Sequence, residues 1–252
     1  MAVFQDYANY YNLLYQHKDY PGEAKYVQGL IRRHAPNART LLNLGCGTGK
    51  HDFIFNRLGY DVVGIDLSQQ MVDLAREEKQ NQPSGNVEFA QGDIRTVRLE
   101  RKFDAVVSLF HVLSYQTSHD DLAGALRTAH LHLHDEGVFV FDCWYGPAVL
   151  ADPPVVRVKK FEDDHLAVIR IAEPVSHPNQ NAVDVNYHVI IRDKKSGAYS
   201  EIREKHTMRY LFLPEMQALL EATGLKLVDF QVWMTGEVPN LGSWNVCFVA
   251  KK

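Results

Sequence analysis

Between residues 41 and 51 the chain reads LLNLGCGTGKH. No other segment constrains the fold as strongly. A short apolar run passes into Gly45, Gly47 and Gly49 and then into a stretch able to form a helix. Glycines permit the tight turn and let the backbone approach a ligand closely. Free N–H groups at the start of the following helix favour a carboxylate or a phosphate. A strand, a glycine loop and a helix in succession point to an α/β sheet with a ligand at its carboxyl edge.

The rest of the first 150 residues agrees. Apolar runs recur at 40–45, 60–67, 87–90, 103–110 and 137–143, and helix-compatible stretches fill 49–58, 69–80 and 119–133. Near-continuous apolar strands require both sheet faces to be covered. The expected class is therefore α/β: a doubly wound, mostly parallel, Rossmann-like sheet. After Pro153-Pro154 the pattern changes. Residues 155–211 read as about four strands, and in VDVNYHVII the apolar side chains Val183, Val185, Tyr187, Val189 and Ile191 alternate with mostly polar ones. That period of two marks a half-buried antiparallel sheet inserted after the fifth strand. Pro214 opens a helix that Gly224 ends, and two strands follow. The resulting plan has four parts: a helical N-terminal segment (1–38), a ligand-binding core (39–152), an antiparallel insertion over the sheet edge (153–212) and a C-terminal helix and strands completing the core sheet (213–252).

Composition narrows the partners. The 252 residues carry a formal net charge of -4, so no basic surplus points to nucleic acid. Three widely spaced cysteines, Cys46, Cys143 and Cys247, form neither a disulfide framework nor a metal pattern. His130, His132 and His134 alternate at a spacing that does not put them on one helix face, so no metal is expected. There is no signal-peptide pattern and no run approaching the ~18 apolar residues of a membrane span. The expectation is a cytoplasmic protein with a small-molecule partner and no membrane contact. A homodimer is left open.

GxGxG alone does not identify the ligand, because dinucleotide enzymes use a related loop. Here the third glycine is Gly49 and Lys50-His51 follow, which departs from GxGxxG. Two acids sharpen the reading. Asp66 ends the second strand, 21 residues after Gly45, where a carboxylate can accept from both ribose hydroxyls. Gly92-Asp93-Ile94 closes the third strand, where an acid can accept from an adenine amino group. GCGTG, the acid of GIDLS and GDI, in this order and spacing, resemble the class I S-adenosylmethionine-dependent methyltransferases.

That resemblance implies S-adenosyl-L-methionine as the cofactor and S-adenosyl-L-homocysteine as its product. It implies that Gly45, Cys46, Gly47, Gly49 and His51 hold the methionine part. Asp66 would meet the ribose, Asp93 with Ile94 the adenine, and Phe110 would lie near the sulfonium; Leu67 and Met71 are further cofactor-binding candidates. Asn43 stands where many members have an acid. The bland alternatives are a helix-capping role for Asp66, a turn role for Asp93, a solvated first turn for Lys50 and His51, and core packing for Met71.

A looser similarity, to nucleotide-sugar N-methyltransferases, rests on GTGKH, FHVLSY, Trp144-Tyr145, the insertion and EKHTMRYLF. It implies an amino group on a nucleotide-linked sugar as acceptor. The alternatives are N- or O-methylation of another small metabolite and, in a different class, a non-catalytic cofactor-binding protein. Five tyrosines crowd the N-terminal segment, and Tyr7, Tyr11 and Tyr15 share one helix face, as a lid or as a docking stripe. Tyr11 and Tyr15 are candidates for the cofactor and Tyr7 for the acceptor. His111 and Tyr115 lie beyond the fourth strand, where an imidazole can accept a proton. Glu204 and His206 share a face of the third insertion strand with Ile202 and Met208, which suggests a lined cavity or an ion pair. His111, Tyr115, Glu204 and His206 are the catalytic candidates. Trp144 and Tyr145 are candidates for stacking a sugar or base. Arg209 is a candidate for a diphosphate, although strict alternation turns it away from Glu204 and His206.

Overall fold

The computed structural model describes residues 13–81 and 85–252. Tyr7 and Tyr11 lie outside the described residues. In chain order the elements are α1 (Tyr20–His34), β1 (Thr40–Leu44), α2 (Lys50–Arg57), β2 (Asp61–Asp66), α3 (Gln69–Asn81), β3 (Val87–Gln91), β4 (Phe103–Ser108), α4 (His119–His132), β5 (Leu133–Trp144), α5 (Gly146–Ala151), β6 (Arg157–Glu162), β7 (Leu166–His177), β8 (Ala182–Asp193), β9 (Tyr199–Arg209), α6 (Leu213–Ala222), β10 (Lys226–Val232) and β11 (Asn245–Lys251).

One sheet has seven strands in the order β10-β11-β5-β4-β1-β2-β3. β1 to β5 run parallel, and β11 is antiparallel to both β5 and β10. The chain leaves β1 toward β2 and β3 on one side and continues through β4 and β5 on the other. The order therefore reverses between β1 and β4, where such sheets bind ligands.

The apolar strands read as continuous because each serves two cores at once. In β1, Leu41 packs with Val27 and Ile31 of α1 and Phe53 of α2, while Leu42 and Leu44 pack on the opposite face with Leu122 and Leu126 of α4. β5 repeats this, sending Val138 and Val140 one way and Phe139 and Phe141 the other. The helix starts are set locally. Asp19 accepts the Gly22 N–H at the head of α1, and Ser118 accepts the Asp121 N–H at the head of α4. α6 begins at Leu213-Pro214, and Gly224 follows its end with φ of 83°.

The second sheet, β6-β7-β8-β9, is wholly antiparallel. Its alternating face packs in two places. Val168 and Val189 meet Met71 of α3, and Val183, Val185 and Met208 meet Trp144 and Trp244 at the end of the large sheet. The insertion thus stands over the carboxyl ends of β1, β4 and β5. No helix among the described residues is long and apolar enough to cross a membrane.

Candidate active site

A cavity of about 870 Å³ lies between the two sheets, within the size range of small-molecule sites. Its inner wall is the loop after β1. Gly45 and Cys46 both donate backbone N–H bonds to Ile65 O, at 2.7 and 2.9 Å, which ties the loop to β2. Gly45 has φ of 88°, and a Cβ there would sit 2.5 Å from Val112. Gly47, by contrast, has open space beyond it, so the loop backbone is bare toward the cavity. Gly49 faces away. Its missing Cβ makes room for Phe89, 2.6 Å from where that atom would stand.

Asp66 ends β2 with its carboxylate oxygens accepting from Gly47 N (2.8 Å) and Ser68 N (2.9 Å). Burial pushes its pKa up, against the pull of these N–H donors. Ser68 in turn caps α3 through Met71 N, so the capping role belongs to Ser68. Below the loop, Asp52 of α2 accepts from Asn43 Nδ2 at 2.9 Å. Complete burial, with the Asp66 charge nearby, raises the Asp52 carboxyl to about 7. Asn43 Oδ1 and Asp52 Oδ1 are both buried without a hydrogen-bond partner, which favours the uncharged acid further. Asn43 and Asp52 together thus place one carboxyl under the loop, reached from the helix rather than from the strand.

Leu67, Met71 and Ile94 add apolar wall beside Asp66, and Asp93 and Arg95 close that end. Asp93 already receives Arg95 Nε at 2.9 Å, and Arg95 also reaches Asp121 at 2.7 Å. The hydrogen bonds from Arg95 hold Asp93 below its usual range. At the other end Tyr15 stands edge-on to Phe110, with ring centroids 5.0 Å apart. His51 pairs with Glu23 of α1 at 2.8 Å, and Glu23 also holds Lys18. An acid for hydroxyls, apolar walls for a purine and aromatic rings for a sulfonium cation match the parts of S-adenosylmethionine.

Beyond β4 the backbone is strained. Phe110 and His111 have φ of 67° and 62°, a conformation costing roughly 1–3 kcal/mol per residue. Asp142 of β5, 1% exposed, holds the bend. It accepts the His111 backbone N–H at 3.2 Å, and His111 Nδ1 lies 2.8 Å from its Oδ2. Further round, Tyr115 Oη is 2.9 Å from His206 Nδ1, and His206 Nε2 is 3.0 Å from Glu204 Oε2. Burial pushes the Tyr115 phenol well above its ordinary pKa. His111, Tyr115, His206 and Trp144 all line the cavity. Glu204 does not, and meets it only through His206.

Two substrate candidates lie elsewhere. Tyr145 follows Trp144 and points the other way, packing on Phe230. Arg209 is buried in a separate knot with Glu215, His119 Nδ1 at 3.0 Å and the Thr117 carbonyl at 3.3 Å. Sequence reasoning did not single out the cations that do reach the cavity. Arg157 and Lys159 of β6 and Arg170 of β7 line it, with Lys159 directly opposite Arg170. The only signal was the two-residue spacing of Arg157 and Lys159. Trp244, 5.5 Å from Trp144 by ring centroids, and Asp142 were also missed.

Residues 41–137 match the methyltransferase domain family. Over 224 residues, 88% of this chain and 91% of the relative, the sequence is 32% identical to the dTDP-3-amino-3,4,6-trideoxy-alpha-D-glucopyranose N,N-dimethyltransferase of Streptomyces venezuelae. This chain belongs to the S-adenosylmethionine-dependent methyltransferases. The enzyme is also 28% identical to the dTDP-3-amino-3,6-dideoxy-alpha-D-glucopyranose N,N-dimethyltransferase of Streptomyces fradiae, over 87% of this chain and 84% of that one. Its fold superposes on the crystal structure of S. venezuelae DesVI with a TM-score of 0.83, at 29% identity and 98% coverage of both chains. The S-adenosylmethionine-bound amino pentose methyltransferase CalS10 of Micromonospora echinaspora gives 0.77 at 26% identity, covering 98% of this chain and 97% of that one.

Proposed function

We propose that the enzyme methylates an amino group on a nucleotide-linked sugar. The observation that carries this reading is the charge on the insertion's inner face. Arg157, Lys159 and Arg170 line the same cavity as the cofactor wall, and a diphosphate is the anion such a cationic group recognises. The relatives support it, since those of S. venezuelae and S. fradiae are N,N-dimethyltransferases of dTDP-amino sugars by name.

In this reading Gly45, Cys46, Gly47 and His51 hold the methionine part, Asp66 the ribose hydroxyls, and Met71, Asp93 and Ile94 the adenine. S-adenosylmethionine supplies an electrophilic methyl group; the chain supplies position and a dry site. Trp144 and Trp244 form an aromatic wall for the sugar. Asp93 meets the adenine only as it shares or releases Arg95. A hydroxyl acceptor is the second reading. It is favoured by His111, a cavity-lining imidazole whose Nδ1 lies 2.8 Å from the buried Asp142 carboxylate without a hydrogen bond to it.

The test is mass spectrometry of reactions containing S-adenosylmethionine and paired dTDP-sugars that carry an amine or a hydroxyl at the same carbon. Products heavier by one or two methyl groups on the amines alone support the proposal. Methylation of the hydroxyl sugars moves it to the second reading. Methylation of free amines but of no nucleotide-linked sugar removes the diphosphate from the argument.

A further inference from the structure

We propose that Tyr115, His206 and Glu204 form a proton relay that takes the proton from the acceptor's ammonium group before methyl transfer. Tyr115 is the catalytic residue at the cavity end. His206 and Glu204 are positioning residues that act through it. The inference rests on the amine reading above.

Three side chains from two distant parts of the chain are joined end to end. Tyr115 comes from the turn after β4, and His206 and Glu204 come from β9. The contacts are 2.9 and 3.0 Å. An ionised Glu204 can only accept, so a neutral His206 carries its proton on Nε2 and its Nδ1 accepts from the Tyr115 phenol. Tyr115 and His206 line the cavity and Glu204 does not; the Glu204 side chain is 10% exposed, against 3% for His206. The Tyr187 ring of β8 stands edge-on to His206 at 5.0 Å and fixes its plane. Among the described residues, Tyr15 ahead of α1 and Tyr187 of β8 act on Tyr115, Arg170 of β7 lies over the Tyr187 ring, and His111, paired with Asp142, lines the same cavity.

A buried phenol stays protonated, so Tyr115 cannot wait as a phenolate base. It can pass one proton on while receiving another. An aliphatic amine arrives at neutral pH mostly as ammonium, which has no lone pair for attack. Its N–H proton goes to Tyr115 Oη as the phenolic proton goes to His206 Nδ1 and the Nε2 proton to Glu204 Oε2. Tyr115 and His206 end neutral as they began, and a separated ammonium–carboxylate pair becomes an amine and a carboxylic acid. The amine lone pair then forms the new N–C bond as the C–S bond breaks and its electron pair stays on sulfur. The product is again an ammonium ion. A second methylation needs Glu204 first to release its proton to solvent and His206, left protonated on Nδ1, to return to its Nε2–H tautomer by exchanging its proton.

The experiment is the pH profile of kcat, from pH 6 to 10, for the wild type and for Tyr115→Phe and Glu204→Gln, with a dTDP-amino sugar as acceptor. S-adenosylhomocysteine binding and circular dichroism serve as controls. Both variants are expected to lose on the order of 10²-fold in kcat at pH 7. The deficit is expected to shrink to a few-fold by pH 10, where the amine is already free, with cofactor affinity unchanged. A variant within twofold of wild type at pH 7 overturns the relay. So does a loss that is the same at every pH, because Tyr115 would then only shape the cavity. If Tyr115→Phe does not fold, Glu204→Gln alone decides between these outcomes. A wild type that turns over no amine but methylates hydroxyls refutes the amine reading itself, a failure visible before any variant is made.

Discussion

Two aspartates within one loop of each other are both pushed up by burial but are held differently. Asp66 has its ionised form supported by two backbone N–H donors. Asp52 has only Asn43 and is raised to about 7. In the unfolded chain the Asp52 carboxyl ionises near 3.8. Between pH 4 and 7 the unfolded state therefore loses a proton that the native state keeps, and stability falls as pH rises. Asp52→Asn removes this penalty while keeping an oxygen for Asn43. The variant is expected to be no more stable than wild type at pH 4 and more stable at pH 8, by up to about 4 kcal/mol for a three-unit shift. Thermal melts at the two pH values check it; a gap that does not widen with pH would mean that Asp52 is ionised at no cost. At Asp66 the expectation reverses. Asp66→Asn turns an NH₂ group toward one of the two loop N–H donors and removes an acceptor for ribose. Cofactor affinity measured by calorimetry should drop at least tenfold, from about 1.5–3 kcal/mol per charged hydrogen bond.

At the scale of elements, what the sequence made legible was whatever has a period. The apolar runs marked β1 to β5, and the alternation in β8 marked the antiparallel insertion, because one face of that sheet is buried and the other is not. Trp144 ends β5 and Tyr145 follows it in extended backbone; both were candidates for the acceptor, and it is Trp144 that lines the cavity. What stayed hidden depends on register between strands. Nothing local says that Lys159 will lie opposite Arg170, or that His206 will meet a tyrosine 91 residues earlier. Asp142 was concealed inside an apolar run, FDCW. The β6–β7 cations lead to a prediction at this scale. Arg157→Ala with Lys159→Ala should raise KM for a dTDP-sugar acceptor about tenfold or more. The effect should weaken in high salt, and kcat at saturation and cofactor affinity should hold. A fall in kcat with KM unmoved would put the diphosphate elsewhere.

The cavity lies between two sheets that already meet through Met71 on one side and Trp144 on the other. Met71 belongs both to the cofactor wall and to the cluster that includes Val168 and Val189 of the insertion. Trp144 similarly ends β5 and packs with Val183 and Met208. A cofactor seated against Met71 and Asp66 therefore braces the insertion as well as the glycine loop. A ligand that binds only the native state stabilises it by about 2.7 kcal/mol at a concentration 100 times Kd. For a chain of this length that corresponds to a rise in Tm of roughly 5–10 °C. S-adenosylhomocysteine should produce that rise in one cooperative transition, and hydrogen exchange should slow in β7 and β8 together with the loop after β1. Protection confined to residues near the loop would show that the insertion folds and opens independently of the cofactor. The closed acceptor cavity would then have to be assembled by the acceptor itself.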